Sequence, residues 1–91
     1  MNGTDLIRES HAKAMAEHAE HQRRFDENPT GEHANAEASM SLGRLSYALG
    51  LEFAVLAMGD YKLERELNAS RNEVIDATRK HSASLLAGRA A

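Results

Sequence analysis

Residues 42–58 read LGRLSYALGLEFAVLAM and lie in the most apolar part of the chain. Placed on a helix at 100° per residue, the large side chains of this region fall on two opposite sides. One side holds Leu42, Leu45, Leu49, Phe53 and Leu56, and the other holds Tyr47, Ala48, Leu51, Ala54, Val55 and Met58. A helix that is apolar all round should be covered all round. The pattern therefore predicts one side in the core and one side against another molecule; the alternative is a bundle with this helix in the middle.

Two breaks set the limits of this helix. Residues 26–31 read DENPTG, where Pro29 disfavours a helical conformation for the residue before it and Gly31 adds a flexible site. Gly59 and Asp60 have the residue types of a helix C-cap followed by an N-cap. The breaks predict helices over about 5–26, 33–58 and 61–87, with a loop over 27–32.

The third predicted helix carries an apolar seam and also a second helix-start signal. Ser70 and Glu73 have the spacing of a capping box, which would interrupt the helix near 68–70. The seam passes through this point without a change of phase, which favours one continuous helix. The sequence thus predicts an all-α fold in which residues 1–91 form a single helical domain. We expect a small antiparallel three-helix bundle, or a helical hairpin with an N-terminal helix, completed by self-association.

The composition removes several classes of protein. The 91 residues include no cysteine, which excludes disulfides, thiolate metal sites and cysteine nucleophiles. The hydrophobic share is 42%, but sixteen of those residues are alanine, so we expect a thin core that needs a partner. With a net charge of -3, the chain lacks the basic surface that nucleic-acid binding requires. The stretch Leu45–Gly59, which contains Glu52, is too short for a membrane span, so a cytoplasmic protein is expected.

The first predicted helix has histidines where a core helix would have leucines. His11, His18 and His21 lie with Ile7 and Phe25 along one line of the helix, on the side that its apolar residues mark as inward. Few large apolar side chains accompany them. We therefore expect this helix to be the most mobile element, or to be ordered by a partner.

Two roles follow from the histidines. His18 and His21 are adjacent on the helix surface and could bind one metal ion, with His81 of the third helix as a further ligand. An imidazole ordinarily titrates near pH 6.5, so the same face could instead respond to pH. In that case we expect loss of helix packing, or of an oligomer, below about pH 6.

The sequence contains no phosphate-binding glycine loop, nucleophile elbow or zinc-protease motif. We therefore predict a non-enzymatic protein without a cofactor. Its predicted function is to bind a protein, as an adaptor, a chaperone-like subunit or an inhibitor, with a homodimer as the preferred form. Histidine-dependent metal binding or pH sensing is the alternative. The residues predicted to bind the partner are Tyr47, Leu51, Val55, Met58, Leu63, Leu67 and Val74.

Overall fold

In a computed structural model, which describes residues 2–90, these residues form three α-helices and no strand. Helix α1 spans Gly3–Glu27, α2 spans Ala34–Ala57 and α3 spans Tyr61–Ala90. The predicted all-α fold is confirmed, and each predicted helix end lies within three residues of the observed end. Helix α3 runs through Ser70 without a break, so the continuous helix is the correct alternative.

Short polar contacts fix the helix ends at the predicted breaks. Asn2 caps α1, because its side-chain Oδ1 accepts the N–H of Asp5 at 2.8 Å. Gly59 has a φ of 81°, the left-handed conformation that favours glycine, and follows the end of α2. Asp60 then accepts the N–H of Leu63 at 3.1 Å and starts α3. The chain therefore reverses direction within a very short turn between α2 and α3.

Helix α1, rather than α2, lies in the middle of the bundle. It runs antiparallel to α2, since His11 contacts Glu52 while His21 contacts Glu37. It contacts both neighbouring helices more extensively than they contact each other. The alternative of a bundle with α2 in the middle is therefore wrong for the single chain, because the narrow alanine and histidine face of α1 fits between the other two helices. That α1 is the most mobile element, or is ordered by a partner, stays a prediction.

The core consists of small apolar layers separated by polar ones. The two apolar clusters are Val55, Leu63 and Leu67 with Ile7, and Ala14, Met15 and Ala48 with Leu45, Val74 and Ile75. His11 and Glu52 lie between the two clusters along α1 and α2, and His18 and Ser41 lie beyond the second cluster. The apolar layers are thin, so polar contacts make up much of the packing between α1 and α2.

Candidate functional site

A buried polar network centred on Glu52 joins all three helices. Glu52 of α2 is 4% exposed, and its carboxylate lies between His11 of α1 and Arg71 of α3. His11 Nε2 is 3.1 Å from Glu52 Oε2, and Arg71 Nε donates to the two carboxylate oxygens at 2.9 and 3.1 Å. Arg71 also donates to Asn68 Oδ1 at 2.7 Å. A buried carboxylate without partners is costly, so these contacts are what allow Glu52 to lie inside the bundle.

The His11 ring has one nitrogen without a partner. An ionised carboxylate only accepts hydrogen bonds, so Nε2 carries the hydrogen in the contact with Glu52. Nδ1 is then buried with no hydrogen-bond partner among the described residues, and the side chain is 1% exposed. A second proton at Nδ1 would add an unsatisfied N–H to a site that already holds the Arg71 cation.

His18 joins the middle of α1 to α2 through a hydrogen bond. Its Nδ1 donates to the backbone carbonyl of Ser41 at 2.8 Å. The Ser41 side chain is itself buried, and its hydroxyl donates to Gln22 Oε1 at 2.9 Å. Both polar side chains on this layer are thus satisfied within the α1–α2 pair.

His21 makes the third contact of this kind. Its Nδ1 lies 2.6 Å from Glu37 Oε2, in a pair whose side chains are half-buried. We call the three contacts the histidine ladder; its members are His11–Glu52, His18–Ser41 and His21–Glu37. The prediction that the three histidines face inward is confirmed, since His11 and His18 are buried and His21 is half-buried.

Sequence reasoning identified the histidines of the ladder but missed their partners on α2. A signal for those partners was present in the spacing of small residues. Ala34, Ser41, Ala48 and Val55 recur every seven residues, and all four are buried. Glu37 and Glu52 share this side of the helix at 100° per residue. A seven-residue repeat marks the line along which one helix packs against another, and it locates the inner face of α2.

The histidines predicted as metal ligands are not brought together. His18 and His21 direct their Nδ1 atoms at α2, whereas His81 is exposed on α3. Among residues 2–90, no three His, Cys, Asp or Glu side chains are grouped so that they could hold a metal ion. The spacing that makes His18 and His21 neighbours points both rings at α2, so this geometry does not support a site shared with His81.

The exposed side of α2 is more apolar than its buried side. The buried side, facing α1 and α3, includes the polar residues Ser41 and Glu52. The exposed large apolar residues of α2 and its C-cap are Met40, Leu42, Tyr47, Phe53, Leu56 and Met58, which are 41–69% exposed. We call these six residues the α2 outer face. Within Ala34–Ala57, Arg44 is the one exposed charged side chain, and it pairs with Glu17 of α1 at 3.0 Å.

The residues predicted to bind a partner are divided between core and surface. Val55, Leu63 and Leu67 are buried, Leu51 and Val74 are half-buried, and Tyr47 and Met58 are exposed. Val55, Leu63 and Leu67 form one of the two core clusters, so in this conformation they offer no surface to a partner. The sequence placed one apolar side of α2 in the core. The structure instead buries a line that includes Ala48 and Val55 of the second side, so most large residues of both sides emerge at the flanks of the buried line.

A cavity of about 290 Å³ opens between α2 and α3 beside the outer face. Leu42, Leu45 and Ile75 line it, together with the polar groups of His18 and Arg79. The cavity forms because α2 and α3 diverge from their short turn and contact each other less than either contacts α1. It provides a recess next to Leu42 that an apolar side chain from another molecule could fill.

Helix α2 also has the length and composition of a membrane-spanning helix. The apolar stretch predicted to be too short for a membrane is Leu45–Gly59, whereas α2 has 24 residues. In a spanning orientation, Glu52 would have to leave His11 and Arg71 for hydrocarbon, where an ionised carboxylate is costly. The contacts of Glu52 therefore favour a helix that stays packed in the bundle.

The ion pairs on the exposed surface of the bundle do not converge on a site. The hydrogen bond from Arg23 lowers the pKa of the Glu20 carboxyl below its ordinary value of 4.5, and raises the pKa of Arg23. The bond from Arg8 to Glu66 of α3 likewise raises the pKa of Arg8. Exposed pairs of this kind contribute little to stability, so they are solvated surface features.

Comparison of the chain with protein-family models, with curated proteins and with solved structures gave no match.

Proposed function

We propose that this chain is a small protein-binding module whose binding surface is the α2 outer face. The observation that carries the proposal is the polarity of α2, whose exposed side is more apolar than its buried side. Several large apolar side chains exposed on one helix exceed the scattered single residues of an ordinary surface and are typical of sites that bind other proteins. The length of the outer face suits a partner that offers an apolar helix or groove.

Binding rather than catalysis fits the way the buried polar groups are used. Glu52 and Arg71 bond to each other across α2 and α3, and His18 bonds to a backbone carbonyl. These contacts hold the helices in register and leave the apolar outer face as the surface available to another molecule. We therefore propose a cytoplasmic adaptor, chaperone-like subunit or inhibitor that acts without a cofactor.

Site-specific photo-crosslinking tests this proposal. A benzophenone amino acid is introduced in place of Phe53 on the outer face, and in a matched variant in place of Leu86, which is 62% exposed on α3. Irradiation of cells should give a discrete covalent protein adduct from position 53 and no comparable adduct from position 86. Equal labelling at both positions, or no adduct at position 53, would contradict the proposed surface.

pH sensing is the second candidate function, and the unpaired Nδ1 of His11 favours it. This ring faces Glu52 of α2 and, through that carboxylate, Arg71 of α3. If acidification charges the ring, the new N–H has no acceptor among the described residues. Such an unsatisfied N–H would weaken the packing of α1 against α2.

Circular dichroism and sedimentation between pH 7.5 and 5 test the pH response. The matched variants are His11→Gln and His33→Gln, because His33 is exposed. Loss of structure on acidification in the wild type and in His33→Gln, but not in His11→Gln, is the expected result. Unchanged dichroism and mass of the wild type across this range would exclude the sensor.

A further inference from the structure

We infer that the molecule bound by the α2 outer face is a second copy of the same chain. The two copies pack α2 on α2, antiparallel, about a twofold axis near Ser46 and Tyr47. This inference rests on the proposed function and adds the identity, orientation and register of the partner. Five features of α2 carry it: an exposed line of small residues, the palindromic order of that line, large apolar residues on the flank next to α3, the exposed apolar area, and the pairing of its exposed charge.

The line of α2 that points away from the bundle consists of small residues. Its members are Ala36, Ser39, Gly43, Ser46, Gly50, Ala54 and Ala57, all exposed. Glycine is the least favourable residue after proline inside a helix. A Cβ at Gly43 or Gly50 would nevertheless meet no described atom of this chain within 4 Å. The chain's own packing therefore does not require glycine here, whereas close approach of a second helix benefits from it.

The exposed line of small residues on α2 is palindromic about the midpoint between Ser46 and Tyr47. The small residues at equal distances from that midpoint are Gly43 and Gly50, Ser39 and Ala54, and Ala36 and Ala57. In a twofold interface, a contact of residue i with j implies the contact of j with i. An antiparallel pair centred on this midpoint therefore places glycine over glycine and small residues over small residues, so the helices can approach closely.

The flank of α2 next to α3 supplies the large contacts. Leu42 and Phe53 lie on this flank at 100° per residue, and they are 65% and 69% exposed. An antiparallel twofold axis brings a flank against the same flank of the other copy. Phe53 of one copy then lies within one helical turn of Leu42 of the other, beside the cavity that Leu42, Leu45 and Ile75 line. An aromatic side chain in an apolar recess is the usual anchor of an interface.

Area and charge also suit a second copy. With roughly 200 Å² for a large side chain, the exposed fractions of the five outer-face residues other than Leu56, which points away from the second copy, correspond to about 600 Å² per copy. A standard stable interface buries about 800 Å² per partner, and the small residues add to the total. Arg44 is already paired with Glu17, so two outer faces meet without like-charge repulsion. A charged partner surface would instead lose hydration without gaining an ion pair.

Disulfide trapping tests this arrangement, because the chain has no cysteine of its own. In the antiparallel pair, the two copies of residue 46 lie almost opposite each other, near the distance that a disulfide requires. The two copies of residue 39 are separated by about 22 Å along the helix at 1.5 Å per residue. Ser46→Cys and Ser39→Cys are matched variants, since both serines are exposed on α2.

Mild oxidation of the purified full chain should give covalent dimer from Ser46→Cys and none above background from Ser39→Cys. A mixture of Ser39→Cys and Ala54→Cys chains should again give covalent dimer, because those positions are palindromic counterparts. Equal yields from Ser46→Cys and Ser39→Cys would indicate a parallel or unspecific pair and overturn the inference.

Absence of covalent dimer from every variant would also overturn the inference, and the photo-crosslink at position 53 then separates the remaining cases. An adduct with a different protein would leave the proposed function intact and reject the second copy. No adduct at all would reject both. Binding of the cysteine-free chain to phosphatidylcholine vesicles, without covalent dimer from Ser46→Cys, would assign the outer face to a bilayer instead.

Discussion

In an ordinary surface helix, one apolar face both aligns the helix with its neighbours and supplies the apolar attraction. In α2 the inner side does the first and the outer side does the second. The inner side carries Ser41 and Glu52, and each makes directed contacts to α1. The outer side carries Leu42 and Phe53, which are mostly exposed. Hydrogen bonds are directional, so the inner side sets how the helices of one chain align. Apolar contact is non-directional and grows with area, so the outer side supplies attraction for another surface.

This comparison shows that burial and hydrophobicity can be separated along one helix. The small residues Ala48 and Ser41 are buried because they let α1 approach closely, although they contribute little apolar area. The large residues stand at the flanks because they do not fit in that narrow contact. Polarity alone therefore does not identify which side of α2 faces the core.

The largest expected effect comes from breaking the inner side at its centre. Glu52→Ala would leave Arg71 without its carboxylate and His11 without a partner in the bundle. Removing one member of a buried pair costs about 3–5 kcal/mol, so this variant should be largely unfolded. Urea unfolding followed by circular dichroism measures the loss of unfolding free energy. Both proteins carry Phe53→Asp, so that dissociation of a dimer does not contribute to the measured value.

The matched control for this variant is Glu73→Ala, because Glu73 is exposed on α3. A substitution at such a surface position should change the free energy of unfolding by less than about 0.5 kcal/mol. If Glu52→Ala were no more destabilising than this control, the polar network would not hold the three helices together.

A bulky residue in the exposed line of small residues on α2 should weaken association without destabilising the fold. Gly50→Leu meets no described atom of its own chain within 4 Å at Cβ, and leucine is favoured over glycine in a helix by about 0.7 kcal/mol. The monomer should therefore be slightly more stable. The side chain would hold the two helices apart, so we expect about 30-fold weaker dimerisation, or ~2 kcal/mol. Sedimentation and thermal melting measure the two effects; a dimer of unchanged affinity would contradict the close contact at Gly50.

A smaller effect is expected from changing one contact of the histidine ladder, the His18–Ser41 contact. Ser41→Ala removes the hydroxyl that donates to Gln22 and leaves the backbone bond from His18 in place. The loss should be about 1 kcal/mol in the free energy of unfolding. Ser39→Ala, two residues away on the exposed side of the helix, should show no loss. Equal effects of the two substitutions in urea unfolding would mean that the buried hydroxyl has no stabilising contact.

The smallest effect concerns the surface pair of Glu20 and Arg23. The pKa of Glu20 is lowered by its hydrogen bond from Arg23, so the pair stabilises the fold above the ordinary pKa of 4.5 and loses that contribution as pH falls through the lowered value. Glu20→Gln should therefore lower the melting temperature slightly at pH 7 and not at pH 2. A difference that persists or grows at pH 2 would show that the pair does not act through the charge of Glu20.

The fold was predictable from local signals, whereas the division of α2 was not. Pro29, Gly59 and Asp60 located the helix limits because each acts on the backbone of its own neighbourhood. The inward histidines followed from their spacing. The burial of Glu52 and Val55 depends on which line of α2 fits against α1, and that choice is made by the width of side chains on both helices. When a helix is apolar on two sides, its sequence does not indicate which side faces the core.

Sedimentation equilibrium of the wild type and of Phe53→Asp most directly tests the claim that the outer face of α2 binds a second copy. The wild type should form a reversible dimer of about 20 kDa, twice the chain mass of 10.0 kDa. A helical monomer of 10.0 kDa is expected for Phe53→Asp, because the aspartate would be buried without a partner in the contact beside Leu42 of the other copy. The same mass for both proteins would contradict this claim.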